Sequence, residues 1–320
     1  MKPSTSMLGA APILAISLLI SSPGQAIDRT VDCNAGQTIG NVLRSLTSGD
    51  TVKVIGNCSE NVSITEVRPT SITLDGGGSA TISGPDATSA VIQISGTRAV
   101  IQNFASISGG RNGVQLSRGA SATISGNTIQ GVGNNGILLN QNSSAIIINN
   151  IIQNNLDGTG IVITDSATAR IGFSNAQDTT ASPNTITGNG TNSGGNGITV
   201  TGGSFAGIVG NTINGNGLTG GSPSGGGISV TQASSAGISD NAINNNAQDG
   251  ISVGRNAFAQ LGSDTGTGIF DNINTTTTNN GRVGLRCFIN GSADGRLGTL
   301  NGNTSPFTKE ILSNCVDSLI

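Results

Sequence analysis

Carboxylates are the side chains of this sequence that could do acid–base chemistry near neutral pH, because the chain contains no histidine. Asp240 and Asp271 each stand immediately before an Asn, in the similar segments SDNAIN and FDNINT. If these segments stack as neighbouring strands, the two carboxylates lie about 5 Å apart. That spacing suits a retaining pair of glycoside-cleaving acids or a Ca²⁺ site. Asp264 is a further acid in this region, so these three residues are the candidate catalytic set.

The same position in related segments carries residues that suggest a simpler role. It holds Gly126, Asn149 and Gly210. Gly, Asn and Asp tolerate the left-handed backbone of a tight turn better than other residues do. Turn geometry alone therefore explains the position, and it is favoured over catalysis because no third acid or adjacent Arg accompanies the pair. Basic residues do not cluster in the predicted columns either.

The elements that would position these acids are repeated. A dipeptide of Gly and a branched apolar residue begins at Gly113, Gly136, Gly160, Gly197, Gly227, Gly250 and Gly284. The basic unit is about 23 residues, within the range of solenoid repeats, and longer units carry insertions. Each unit contains short alternating apolar runs separated by Gly and Asn, which is strand periodicity. Three short strands per unit leave no room for helices, so successive units must stack in parallel.

A second marker, Asn-x-Ile or a close relative, recurs in phase with the Gly marker when no insertion intervenes. With both markers, residues 51–300 resemble the right-handed parallel β-helix proteins, which have the pectin-lyase-like fold. The resemblance implies an all-β solenoid with a column of inward, stacked asparagines. That ladder would consist of Asn127, Asn150, Asn184, Asn211, Asn241 and Asn272. Phe104 stands one repeat before Asn127 and should cap it.

The resemblance is specific for architecture and says little about chemistry. Such proteins include lyases, hydrolases, epimerases, phage tailspikes and adhesins, so the fold does not decide the function. The acid–His motif of the epimerases is excluded because histidine is absent.

The chain divides into four predicted parts. Residues 1–26 have a basic start, a short apolar run and a Gly-Gln-Ala ending, which predicts a cleaved signal peptide and a periplasmic or secreted protein. A membrane-anchored N-terminus is the alternative, and no later segment is apolar enough to span a bilayer. Residues 27–50 should form an N-terminal cap with a short amphipathic helix, 51–300 the β-helix, and 301–320 a C-terminal cap.

Four cysteines allow three pairings. Export favours oxidation, and closing short loops costs less entropy than joining the ends of a rod. The preferred pairs are therefore Cys33–Cys58 and Cys287–Cys315. A metal site is the weaker alternative, because the sequence has neither a CxxC motif nor a histidine.

Composition narrows the function further. A net charge of −3 gives no electrostatic basis for binding nucleic acid. The sequence predicts a structural or binding protein whose partner is a polysaccharide or cell-envelope glycan, because a long regular face matches a repeating polymer. The alternative is a polysaccharide lyase or glycoside hydrolase using surface aspartates, and Ca²⁺ is expected only in that case. Metal delivery ranks last. The sequence gives no indication of other cofactors or of the oligomeric state.

Overall fold

The computed structural model describes residues 26–66, 71–218, 224–262, 269, 275–301, 303, 311–312 and 315. Most of the predicted signal segment, residues 1–25, lies outside them. The described chain is built of β-strands, with one 3₁₀ turn at Cys33–Ala35 and one α-helix at Ile39–Leu43. In this part of the chain, no helix is long and apolar enough to cross a membrane.

The strands form three parallel sheets. Sheet 1 contains Asp28–Asp32, Thr51–Ile55, Ile72–Asp75, Arg98–Gln102, Ser121–Ser125, Ser144–Ile148, Thr168–Ile171, Phe205–Val209, Ser235–Ser239, Phe258–Leu261 and Ser292–Asp294. Sheet 2 contains Asn57–Ser59, Thr81–Gly84, Ser106–Gly109, Thr128–Gln130, Ile151–Gln153, Thr185–Thr187, Thr212–Asn214, Ala242–Asn244, Thr276–Thr278 and Thr299–Asn301. Sheet 3 contains Val62–Thr65, Ile92–Ser95, Val114–Ser117, Ile137–Leu139, Ile161–Ile163, Ile198–Val200, Ile228–Val230, Ile251–Gly254, Leu285–Phe288 and Ile311–Leu312.

The chain visits the sheets in the order 1, 2, 3 and then returns to sheet 1 one step further along. One such circuit is called a rung. The first corner joins sheet 1 to sheet 2, the second joins sheet 2 to sheet 3, and the third returns to sheet 1. Neighbouring rungs lie about 4.8 Å apart, the spacing of hydrogen-bonded strands. This all-β parallel coil confirms the predicted fold class.

The core is a set of stacked apolar columns inside the coil. Sheet 2 supplies Ile129, Ile152, Ile186, Ile213 and Ile243, all fully buried. Sheet 1 supplies a column of small residues that includes Ala122, Ala145, Ala169, Ala206 and Ala236. Because each rung repeats the residue type of the last, side chains of equal size fill the narrow interior.

The first corner contains the predicted ladder. Asn127, Asn150, Asn184, Asn211 and Asn241 are buried there. In each step from Asn127 to Asn211, the Oδ1 of the next rung's asparagine accepts both the backbone N–H and the side-chain amide of the preceding one. Phe104 is buried before the first of them, and its N–H donates to Asn127 Oδ1 at 3.1 Å. The sixth predicted member, Asn272, lies outside the described residues. Thr275, not an asparagine, accepts the N–H of Asn241.

A second ladder at the second corner was not predicted. It contains Asn155, Asn189, Asn216, Asn246, Asn280 and Asn303. Each described member except Asn303 follows a residue of the first ladder by five positions, as in Asn150 and Asn155. The two ladders satisfy amide groups that would each cost about 1–3 kcal/mol if buried alone. They therefore hold both ends of sheet 2 in register.

The ends of the coil are closed covalently, and the two predicted disulfides are confirmed: Cys33–Cys58 and Cys287–Cys315. At the N-terminal end the predicted helix forms, and Glu60 accepts the N–H groups of Ile39 and Gly40 at its start. Sheet 1 begins within the predicted cap, because Asp28–Asp32 already pairs with Thr51–Ile55. The strand Ile311–Leu312 likewise extends sheet 3 beyond residue 300.

Candidate functional site

A groove runs along the outer face of sheet 1. The first outward residue of each strand forms a column that contains Arg98, Ser121, Ser144, Thr168, Phe205, Ser235, Phe258 and Ser292. Successive members lie about one rung, or ~4.8 Å, apart. The column therefore begins with a guanidinium, continues with three hydroxyls and reaches an aromatic ring.

Two hollows make up this groove. The first has a volume of about 400 Å³ and is lined by Ser121, Ser144, Thr168, Arg170 and Phe205 among others. The second, of about 620 Å³, shares Ser121 and Ser144 and continues to Arg98. Because the hollows share these hydroxyls, they form one groove that spans roughly four rung spacings from Arg98 to Phe205, or ~19 Å.

Phe205 gives the groove its apolar end. Half of its surface, 50%, is exposed to solvent, and Phe258 two rungs further along is 41% exposed. Ser235 stands between the two rings in their own column, and Gly207 and Gly237 lie side by side in the next outward column, where no side chain rises beside Phe205 and Ser235. An exposed ring on a sheet surface costs solvation free energy unless something covers it. The two rings therefore leave apolar surface exposed on this face.

Arg170 forms a side wall of the groove. It belongs to the next outward position of sheet 1, and its Nη1 donates to the carbonyl of Ser174 at 2.9 Å. Ser174 lies in the insertion of residues 172–183 at the first corner. Phe173 of the insertion packs with Val209 of sheet 1 and with Ile269 of the next first-corner insertion. The insertion is thus fastened to the sheet and holds Arg170 in place.

The carboxylate of Asp178, the acid of this insertion, is hydrogen-bonded within the insertion itself. The carboxylate of Asp178 accepts the N–H groups of Ser174 and Asn175 and the hydroxyl of Ser174. The Asn175 and Ser174 N–H groups hold the pKa of Asp178 below its usual value. Among the described residues that line the groove, Arg98 and Arg170 carry the titratable groups.

The predicted catalytic acids are not brought together within the described residues. Asp264 and Asp271 lie outside them. Asp240 is half-buried at the first corner with a φ of 56°, and Asn103, Gly126, Asn149 and Gly210 share this left-handed conformation. Burial raises the pKa of the Asp240 carboxyl above its usual value. Its backbone geometry is that of the turn role favoured from the sequence.

A charged cluster that lies beside sheet 3 was not predicted from the sequence. Asp249, at the end of the second corner, has a side chain that is only 7% exposed. Its Oδ1 lies 3.7 Å from Arg282 Nε, and its Oδ2 lies 3.5 Å from Arg286 Nη1. Burial raises the pKa of Asp249, while both arginines and the N–H of Val283 oppose the increase. The expectation that basic residues do not cluster is therefore wrong at this point.

Sequence spacing contained the signal for this cluster. Asp249 directly precedes the Gly marker at Gly250, whereas Arg282 and Arg286 flank the next marker at Gly284. Counting from the marker, instead of from the asparagine, would have put the acid and Arg286 on neighbouring rungs. Sheet pairing shows this register directly, since Ser252 faces Arg286.

Comparison with known proteins identifies the architecture. Residues 50–190 match the family model described as a right-handed β-helix region. The fold is a right-handed parallel β-helix. No curated protein is similar to the chain by sequence.

Two solved structures share this right-handed β-helix. One is pectate lyase Pel9A, with a TM-score of 0.57 and 12% identity over 92% of this chain and 79% of that one. The other is an alginate lyase from a Paenibacillus species, with a TM-score of 0.58 and 16% identity over 91% of this chain and 99% of that one. At such identities the likeness establishes the fold and leaves the chemistry to be argued from this β-helix's own residues.

Proposed function

We propose that this β-helix protein is exported and binds a polysaccharide in the groove of sheet 1 without cleaving it. The observation that carries the proposal is the column from Arg98 to Phe205, with hydroxyls at rung spacing and an exposed ring at its end. A linear glycan repeats its hydroxyls and its apolar ring faces along its length. A groove that presents hydroxyls at a regular spacing and ends in an exposed ring can contact several units at once.

The structural neighbours support a glycan partner, because proteins of this fold include a pectate lyase and an alginate lyase. They do not by themselves favour cleavage here. A retaining mechanism needs two carboxyl groups about 5–5.5 Å apart. Asp240, the candidate acid that the structure describes, occupies a turn. Asp240 is also not among the described residues that line the groove.

Export is supported by the two disulfides and by the signal-like segment. The backbone N–H of Ile27 donates to the buried carboxylate of Asp50 at 2.9 Å. Cleavage after Ala26 would turn this N–H into the α-ammonium of a new terminus facing that carboxylate. N-terminal sequencing of protein recovered from the cell exterior should begin at Ile27. An uncleaved terminus, or recovery only from the cytoplasm, would refute export.

The binding proposal is tested by exchanging the ring. Affinity electrophoresis with soluble pectate, alginate and a neutral glucan first selects the ligand, and calorimetry then measures its dissociation constant. Phe205→Ala should weaken binding about tenfold or more, since aromatic anchors dominate such contacts. Leu218→Ala removes a similarly exposed apolar side chain elsewhere, at 56% exposure, and should leave affinity unchanged. Equal effects of both variants would place the ligand elsewhere.

Turnover is measured on the same samples. Incubation with the selected polysaccharide should release neither reducing ends nor unsaturated ends, and binding should persist through the incubation. Release of either product by the wild type would replace the binding function with cleavage. Loss of that release in Asp240→Asn would then identify the acid.

A further inference from the structure

The cluster on sheet 3 contains a charge that the coil does not need. The column to which Asp249 belongs holds Asn112, Asn135, Thr159 and Asn196 in earlier rungs and Gly226 on the rung just before it. In the first four of these rungs a neutral oxygen accepts the backbone N–H of the next rung, as Asn112 Oδ1 does for Asn135 at 3.1 Å. Asp249 does the same for the N–H of Val283. An amide would suffice there, and it would avoid the desolvation cost of a carboxylate.

A carboxylate at Asp249, instead of an amide, is explained only by its ion pairs with two arginines. Arg286 is one of them, with 30% of its side chain exposed. Its guanidinium carbon lies 4.9 Å from the centroid of the Phe288 ring. That ring in turn lies against Gly254 on the neighbouring strand, where any Cβ would collide with it. Gly254, Phe288 and Asp249 therefore fix the guanidinium from two sides.

A guanidinium held in this way still has donors to offer. Arg has five N–H groups in a planar fork, and the carboxylate of Asp249 engages it through Nη1. The remaining edge is the kind that binds a carboxylate through two parallel hydrogen bonds. Beside it, Ser252 and Ser229 occupy the same outward column of sheet 3 on the next two rungs. Their hydroxyls lie at intervals of ~4.8 Å.

We propose that Arg286, held by Asp249 and Phe288, binds the carboxylate of a uronic acid unit, with Ser252 and Ser229 accepting the adjoining sugar. The site lies on sheet 3, separate from the groove of sheet 1, and names the ligand class as an acidic glycan. Arg286 is partly exposed and carries a fixed positive charge, which favours an anion. The proposal does not depend on binding in the sheet 1 groove.

Calorimetry with an oligogalacturonate and with its methyl ester tests the site. The two oligomers share a backbone and differ in whether the carboxylate is free. Wild-type protein should bind the free acid at least tenfold more tightly than the ester. Arg286→Gln should abolish that preference, and Arg286→Lys should retain only part of it, because a lysine keeps the charge and loses the fork. Circular dichroism and thermal melting confirm that each variant is folded.

Arg255→Gln is the matched control. Arg255 is exposed at the third corner, where Gln141 and Gln232 hold the equivalent left-handed position, so the change removes one positive charge without straining the turn. It should leave the preference intact. Three results would overturn the proposal: equal binding of acid and ester by the wild type, no binding of the acid, or an equal loss of the preference in Arg286→Gln and Arg255→Gln. Phe205→Ala, measured with the same oligomers, separates this outcome from failure of the sheet 1 groove.

Discussion

Two polar columns run through the corners at either end of sheet 2, and they differ in how strictly they repeat. The first-corner ladder keeps asparagine from Asn127 to Asn241, and every amide is bonded to the rungs beside it. The column that contains Asp249 varies among amide, hydroxyl, glycine, carboxylate and valine. Both columns accept backbone N–H groups, so both are structural. Only the second adds a charge that the stacking does not require.

This difference separates structural from chemical residues in a repetitive chain. A residue type that recurs on every rung solves a problem that every rung has, such as pairing a buried backbone group. A residue that differs in type from the rest of its column, and that contacts another such residue on the neighbouring rung, has a role specific to that place. Asp249 and Arg286 depart from their columns on neighbouring rungs and meet. Asp240 does not depart, because its column accepts Gly, Asn and Asp alike.

The largest expected effect comes from breaking the strict column. Asn184→Ala removes the acceptor of the Asn150 N–H and side-chain amide, and the donor to the Ile147 carbonyl and Asn211 Oδ1. Leaving buried groups unpaired costs about 1–3 kcal/mol each. We therefore expect a loss of about 3 kcal/mol or more in the free energy of unfolding, measured by urea denaturation.

Asn192→Ala serves as the control, because Asn192 is an exposed asparagine of the second corner, between Asn189 of the second ladder and the sheet 3 strand Ile198–Val200. Its stability should stay within about 0.5 kcal/mol of the wild type. A similarly small loss for Asn184→Ala would mean that water or local rearrangement satisfies the ladder, and the structural interpretation of the repeated amides would fail.

The strict column was also the part that the sequence could predict. Constant spacing from Phe104 through Asn127 to Asn150 fixes both the ladder and its cap, because each rung adds the same number of residues. The prediction stopped at the insertion before Thr275. There the Asn-x-Ile pattern of Asn272 suggested a register that Thr275 occupies instead. The second ladder was visible five residues after the first, as Asn280 is five after Thr275, and would have corrected this register.

The candidate sites were less predictable for a physical reason. Whether Asp249 is buried, and whether Arg286 reaches it, depends on sheet 3 pairing across an insertion of variable length. The groove depends on which serines and phenylalanines face outward on neighbouring strands. Phe205 and Phe258 stand far apart in sequence, so their common column appears only once the rung lengths are known.

Asp249→Asn places an amide in the variable column, as in the asparagine ladder, and should change the free energy of unfolding by a smaller amount that depends on pH. Burial raises the pKa of Asp249 above the usual 3.8, so the folded state binds a proton more tightly than the unfolded state does. Wild-type stability from this group is then greatest at low pH and is lost as the pH rises through the folded-state pKa. Asp249→Asn removes that loss and keeps an oxygen for the Val283 N–H.

The variant should therefore match the wild type near pH 4 and become the more stable protein toward pH 7, by less than the loss expected for Asn184→Ala. Urea denaturation at both pH values measures the difference. If the wild type instead gains stability over the variant as the pH rises, the attraction of Arg282 and Arg286 outweighs burial. The carboxylate would then be a net stabilising group.

The smallest effect on stability is expected for a substitution of Asp240, a residue that conforms to its column. Asn103 and Asn149 already occupy its left-handed position, so Asp240→Asn fits the turn without strain. The change also removes the desolvation cost of the partly buried carboxylate, the same burial that raises the pKa of Asp240. The thermal midpoint should stay nearly unchanged or rise slightly, and a surface change of this kind is usually within about 0.5 kcal/mol. Millimolar calcium should not alter the wild-type midpoint. A calcium-dependent rise that disappears in Asp240→Asn would assign this carboxylate to a metal site, and it would show that a residue conforming to its column can still carry chemistry.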